Sequence, residues 1–283
     1  MREMTATIAE ALADAAVRLS GAGLEDGPGE ALRLWAALEG CAPGAVFLAR
    51  REAADPERAV RFECAVARRA AGEPLAYVSG TIGFRHLDLL CDSRALIPRP
   101  ETEGLVDLVL ARVRQGHACD VGTGTGCIAL SLAQEGAFAS VVAVDRSADA
   151  LALAAANARR TGVRVPLVQG HLLDAIATGS MDLVVSNPPY LTDAEYEALD
   201  GSVRAWEPAM ALASGPDGLA ATTALLRDAR RVLRPGGWVG MEIDSRRGAE
   251  SASAARTLGW GDIAVMQDLF GRERYLLARR SEA

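Results

Sequence analysis

At 283 residues, with a charged fraction of 24% and a hydrophobic fraction of 50%, the chain has an ordinary globular composition that argues against disorder and leaves room for two domains and a sizeable core. Its net charge of −7, with every one of the 30 fixed cations an arginine and no basic tract, argues against a nucleic-acid partner, because such binding draws on clustered cations that displace counterions at phosphates. The five cysteines form no CxxC pair, no secretory peptide precedes them, the three histidines lack metal-ligand spacing, and charges interrupt every apolar run, so the expectation is a cytoplasmic monomer without metal, disulfide or membrane span.

Apolar residues recur with helical spacing at Ile8, Leu12, Ala15, Ala16 and Leu19, and Gly21 and Gly23 close the segment. A second helix starts near Pro28, carries Leu32, Trp35 and Leu38 on one face and stops at Gly40. A third begins at Asp55-Pro56, an N-cap followed by a first-turn proline, and is expected to bury Val60, Phe62 and Val66. Residues 1–73 therefore read as a helical domain with no catalytic constellation, either a substrate-docking module or a structural cap. Residues 74–104 change to short extended pieces separated by glycine and proline, a β-hairpin linker. By residue chemistry alone, Arg99, Glu101 and Glu103 within it form a solvated charge cluster.

From residue 105 to 283 strand and helix alternate, which predicts an α/β, doubly wound, Rossmann-like domain with helices on both faces of the sheet. The strand 117–121 runs into Gly122-Thr123-Gly124-Thr125-Gly126 and a helix from Cys127. Glycines there let the backbone approach a ligand and open a helix whose N-terminus favours a negative group. Such a loop also suits a dinucleotide or a helix-packing turn. The next strand, 141–144, ends in Asp145, whose carboxylate can accept both hydroxyls of a ribose. A covering helix over 148–158 and a third strand over 165–168 lead to Gly170-His171-Leu172-Leu173.

The apolar strand Asp182-Leu183-Val184-Val185-Ser186 leads directly into Asn187-Pro188-Pro189-Tyr190. Consecutive prolines fix their own φ near −65° and push the preceding residue into extended geometry, so this loop arrives pre-shaped. It can present the Asn187 side-chain oxygen and the Pro188 carbonyl as two acceptors beside the flat Tyr190 ring. That arrangement suits a planar NH2 group: accepting both hydrogens orients the nitrogen and returns electron density to it. An Asn-Pro-Pro turn that merely ends a strand is the structural alternative. Further on, a helix over 219–233, a strand over 238–243 and an antiparallel pair, 263–266 with 274–278, complete the predicted domain.

The tetrad following an apolar strand resembles the signature of amino-methyltransferases that use S-adenosylmethionine. Leu96-Ile97-Pro98-Arg99-Pro100-Glu101-Thr102-Glu103, with Phe84 in the hairpin ahead of it, narrows the resemblance to the glutamine N5-methyltransferases of peptide-chain release factors, the HemK-like family. Trp206-Glu207-Pro208 and Ala211-Leu212 resemble that family's aromatic-Glu-Pro segment. The likeness covers about residues 72–280, and the first 70 residues share only a helical character. His86, Leu89, His171 and the run Asp244 to Arg247 depart from the family pattern, and bear on the pocket wall, the adenine site and specificity respectively.

The resemblance implies methyl transfer from S-adenosylmethionine to the side-chain amide of the glutamine in a release factor's Gly-Gly-Gln loop. Asn187, Pro188, Pro189 and Tyr190 would hold the amide. Gly122, Thr123, Gly124, Thr125, Gly126, Asp145, Leu172 and Asn187 would hold the cofactor, with Leu172 on the adenine ring. Methylation of an exocyclic base amine needs the same two acceptors and a stacking ring, and a ribosomal-protein glutamine would serve the same chemistry. A dinucleotide-dependent oxidoreductase or binding module would explain the glycine loop but not the tetrad.

Overall fold

The computed structural model describes residues 6–282, and the chain divides between Thr81 and Ile82 into two compact units. The N-terminal unit holds helices α1 (Ile8–Gly21), α2 (Gly27–Glu39), α3 (Pro43–Ala49), α4 (Pro56–Ala70) and α5 (Leu75–Ser79). Thr7 and Glu10 make a capping box at α1, while Asp26 and Asp55 cap α2 and α4 ahead of a first-turn proline. Their apolar faces meet in a core built on Leu19, Leu34, Trp35, Phe62 and Val66, in which the Trp35 and Phe62 rings pack edge-on at 4.7 Å. Val60, expected inside, is 63% exposed. The buried face of α4 is set by Phe62, Ala65 and Val66, and a residue two positions before Phe62 lies about 200° around the helix from it. Helices α3 and α5, at 7 and 5 residues, are too short for the spacing of apolar residues to have revealed them.

The second unit carries a two-stranded hairpin, β1 (Thr81–Phe84) with β2 (Leu87–Leu90), and then a seven-stranded sheet. The hairpin's turn residue Arg85 is tied to the helices below: its guanidinium meets Glu135 and Asp107 at 2.7 Å, and its backbone N–H donates to Glu103 Oε1 at 3.0 Å. Glu103 is thus a structural acceptor rather than a merely solvated charge.

In chain order the unit continues with α6 (Pro100–Leu110), β3 (Gln115–Val121), α7 (Cys127–Glu135), β4 (Ala137–Asp145), α8 (Ala148–Thr161), β5 (Leu167–Gln169) and β6 (Met181–Ser186). After β6 come α9 (Asp193–Glu197), α10 (Gly201–Trp206), α11 (Ala220–Val232), β7 (Leu233–Glu242), α12 (Gly248–Thr257), β8 (Gly261–Gln267) and β9 (Glu273–Arg279). The sheet order is β5-β4-β3-β6-β7-β9-β8, with β9 antiparallel to both its neighbours and the strands from β5 to β7 parallel. One core lies under α6 and α7 on one face and a second under α11 and α12 on the other, as a doubly wound α/β domain requires.

A single glycine settles how closely α6 lies on the sheet. Any Cβ at Gly240 of β7 would collide with the Val109 side chain of α6, so its absence lets the helix settle directly on the strand. This close seat brings Thr102, in the first turn of α6, to the carboxyl end of β7.

Candidate active site

Parallel strands deliver their ligands to their carboxyl ends, and here the ends of β3, β4 and β6 wall a cleft of about 530 Å³. Gly122, Thr123, Gly124 and Thr125 line it after β3, Asp145 at the last position of β4, and Asn187, Pro188 and Pro189 after β6. The glycine loop is clamped to its neighbour strand, since the N–H groups of Gly122 and Thr123 donate to the Val144 carbonyl at 2.8 and 3.1 Å. Gly126 stands apart from the lining. With φ at +85° and Ala154 at 3.3 Å from where its Cβ would be, it serves the approach of α7 to α8.

Asp145 Oδ2 accepts from Gly124 N and Oδ1 from Ser147 N, both at 2.9 Å. Each carboxylate oxygen accepts twice, so acceptor capacity remains on the cleft side for a pair of hydroxyls. Under the loop lies Asp120, fully buried, accepting from Thr123 Oγ1 at 2.6 Å and from Ala129 N at 3.1 Å. Burial pushes this carboxyl up to about 7. Leu172, held at φ 50°, and His171 both line the cleft, and the His171 ring is exposed.

Asn187 is positioned from behind. Its Nδ2 donates to Thr102 Oγ1 at 3.1 Å, and the Thr102 hydroxyl donates to Glu242 Oε2 at 2.7 Å. Thr102 and Glu242 are both buried, and burial raises the Glu242 pKa. Tyr190 is not among the residues lining the cleft. Burial pushes its phenol up to about 12, next to the charges of Glu242, Arg274, Asp244 and Arg99.

Charged side chains brace the rim. Arg99, a lining residue, pairs with the buried Glu207 at 2.5 Å, joining the run before α6 to the segment after α10. Asp244, Arg246, Arg247 and Glu195 form an ion-pair cluster in which Arg247 meets Asp244 at 2.6 Å and Glu195 at 2.7 Å. Burial alone would raise the Asp244 carboxyl, but its arginine partners hold it below the usual range. The departure at residues 244–247 therefore fastens α9 to the end of β7. Neither His86 nor Leu89 lines the cleft, and Leu89 is a core residue of the second unit.

Thr102, Glu207 and Glu242 are the residues that the pattern of the sequence did not single out as a set. Their signals were present in the Pro-Glu-Thr-Glu run, in Trp-Glu-Pro and in Glu242-Ile243, but nothing in linear order sets Thr102 and Glu242 behind Asn187 or Glu207 against Arg99. Among the described residues no group of three or more His, Cys, Asp or Glu could hold a metal ion, and no single helix is long and apolar enough to cross a membrane.

Residues 10–80 match the family described as the PrmC N-terminal domain, and residues 101–202 match the methyltransferase small domain. A release factor glutamine methyltransferase of Cereibacter sphaeroides is 40% identical over 273 residues, which cover 96% of this chain and 98% of the relative. The chain belongs to the release factor glutamine methyltransferase family. Another member, from Nitratidesulfovibrio vulgaris, is 44% identical over 229 residues, 78% of each chain. Among solved structures, a methyltransferase from Pyrococcus furiosus shares the fold with a TM-score of 0.52 at 19% identity, covering 80% of this chain and 100% of that one. In release factor glutamine methyltransferases the reaction depends on S-adenosylmethionine, and the cleft fits that cofactor: glycines open one wall, a carboxylate with spare acceptors ends β4, and Leu172 and Leu225 give an apolar surface.

Proposed function

We propose that this chain transfers a methyl group from S-adenosylmethionine to the side-chain amide nitrogen of the glutamine in the Gly-Gly-Gln loop of a release factor, acting as a cytoplasmic monomer. The observation that carries the reading is the meeting of the glycine loop, Asp145 and the Asn187-Pro188-Pro189 segment on one cleft. When bound, S-adenosylmethionine supplies a sulfonium methyl group, which the amide nitrogen takes with its lone pair while the carbon–sulfur pair remains on sulfur.

Asn187 Oδ1 and the Pro188 carbonyl accept the two amide hydrogens, which holds the nitrogen in position and favours electron density on it. Gly122, Thr123, Gly124, Thr125 and Asp145 hold the cofactor, Leu172 packs on its adenine, and Gly126 keeps the loop's helix in place. Pro189 stiffens the acceptor loop. Tyr190, half-buried and close to the charge of Glu242, closes that loop. No titrating base is needed, since the nitrogen becomes strongly acidic once methylated and gives its proton to water. Orientation of the reacting groups supplies at most about 7–11 kcal/mol of barrier reduction.

The N-terminal helical domain, residues 1–73, docks the protein substrate, and residues 74–104 link it to the methyltransferase domain at 105–283. Exposed Phe47 and Leu48 on α3 provide apolar contact area for such docking. Replacing both with serine is expected to raise KM for the release factor and leave affinity for S-adenosylhomocysteine unchanged.

Incubation with a labelled methyl donor and candidate release factors, followed by mass mapping, tests the whole reading. Label is expected on the Gly-Gly-Gln glutamine, and Asn187→Ala is expected to abolish transfer while sparing cofactor binding. Label in nucleic acid instead, or full activity of Asn187→Ala, would overturn it.

A further inference from the structure

We infer that Thr102 and Glu242 fix which end of the Asn187 amide faces the cleft, and so make the site selective for groups that offer N–H bonds over groups that offer only oxygen acceptors. The inference rests on the proposed reading of that cleft as the amide site and adds to it the residues that decide its polarity.

An asparagine side chain is nearly symmetric in shape but opposite in character at its two ends: the oxygen accepts and the nitrogen donates. A loop stiffened by prolines fixes where Asn187 stands without fixing which end points outward. The buried chain behind it does. The Thr102 hydroxyl has a single hydrogen, and it donates that hydrogen to Glu242 Oε2 at 2.7 Å. Burial raises the Glu242 pKa, and the hydrogen bond from Thr102 together with the charges of Arg274 and Arg99 opposes that rise.

Thr102 Oγ1 then has only lone pairs to offer Asn187, and it accepts from Nδ2 at 3.1 Å. Turning the amide over would set Oδ1 against those lone pairs, with no hydrogen between. The outward end is therefore Oδ1, an acceptor next to a proline carbonyl that is also an acceptor. Two acceptors suit the NH2 of a glutamine side chain and repel the oxygens of a glutamate. Glu242 and Thr102, the latter itself a residue of the cleft wall, are positioning residues here, acting through Asn187.

The test compares wild type with Thr102→Val, Thr102→Ser and Glu242→Gln. The Asn187 side-chain amide resonances, assigned by their loss in Asn187→Ala, should exchange with solvent slowly in wild type and in Thr102→Ser, and roughly ten times faster in Thr102→Val, where no acceptor remains. This readout holds whatever the substrate proves to be, so it separates a failure of the relay from a failure of the proposed reaction, which the wild-type assay reports. In turnover, Thr102→Val should lower kcat about tenfold, the equivalent of roughly 1.4 kcal/mol, with S-adenosylhomocysteine affinity unchanged, and Thr102→Ser should restore it.

Thr102→Val strands a buried carboxylate and could unfold, so Glu242→Gln serves as the second variant. Its amide can offer Thr102 either a donor or an acceptor, which releases the constraint while keeping the volume, and kcat should again fall with cofactor affinity intact. Wild-type exchange in Thr102→Val, wild-type turnover in Glu242→Gln, or a Thr102→Ser variant as impaired as Thr102→Val would each overturn the inference.

Discussion

The backbone N–H of Gly124 donates to Asp145 Oδ2 at 2.9 Å, so the glycine loop and the acid at the end of β4 are one unit rather than two neighbouring features. The carboxylate organises the loop with one set of lone pairs and retains others for the cleft.

Asp145→Asn keeps the shape but replaces one acceptor with a donor. Hydrogen bonds to a charged group contribute about 1.5–3 kcal/mol, so calorimetry with S-adenosylhomocysteine should show affinity weaker by roughly 10- to 150-fold. Unchanged affinity would remove Asp145 from the cofactor site.

Glu207 is buried, and Arg99, its partner, keeps 37% of its side chain exposed. Partial exposure softens the cost of losing the pair below that of a fully buried one. Glu207→Ala should destabilise the protein by about 1–3 kcal/mol in denaturant titrations. Glu207→Gln, which retains an acceptor for Arg99, should lose less.

Gly126 opens α7 at a φ of +85°, with Ala154 as the nearest obstacle to a side chain. A left-handed conformation costs a non-glycine residue about 1–2 kcal/mol, so Gly126→Ala should lower Tm by roughly 2–8 °C. Calorimetry showing an unchanged Tm would mean that the helices have slack at this point.

Asp120 makes stability depend on pH in a direction opposite to that of a salt-bridged carboxylate. Burial raises its folded pKa from the usual 3.8 to about 7. Between these values the folded protein holds a proton that the unfolded chain has released, so the stability it contributes is full below about pH 4 and is lost as pH rises toward 7. Asp120→Asn cannot titrate. Urea titrations at about pH 5 and pH 7 should therefore show wild type losing stability relative to the variant, by at most about 1.4 kcal/mol per pH unit. A constant difference across the two would mean that Asp120 is charged in both states.

Much of the site could be read from the chain because its chemistry is local. A glycine loop, an acid closing the following strand and an Asn-Pro-Pro turn are each produced by adjacent residues, whose φ/ψ limits are fixed by the residues themselves. The helix and strand periodicities located α1, α2, α4 and the sheet for the same reason. Of the missed helices, α3, α5, α9 and α10 are too short to show a period, α12 is rich in small residues that blur its apolar face, and α6 begins inside a proline-rich run that reads as extended. Residue chemistry alone makes Arg99 and Glu103 look like solvated charges because their partners are distant in the chain: Glu207 lies 108 positions from Arg99, and Glu103 accepts from Arg85 of the hairpin turn.

By itself, then, the sequence determined the α/β class and located the glycine loop, Asp145 and the Asn187-Pro188-Pro189 turn that line one cleft. Only the tertiary structure decided the hydrogen bond that Asn187 Nδ2 gives to Thr102, the burial of Glu242 behind it and the packing role of Gly126. Each of these depends on contacts between elements far apart in the chain: α6 resting on a glycine of β7, Thr102 reaching Glu242, and α7 closing on α8. Local backbone preference can shape a loop, but the direction of a hydrogen bond is settled by whichever group packing places at its other end.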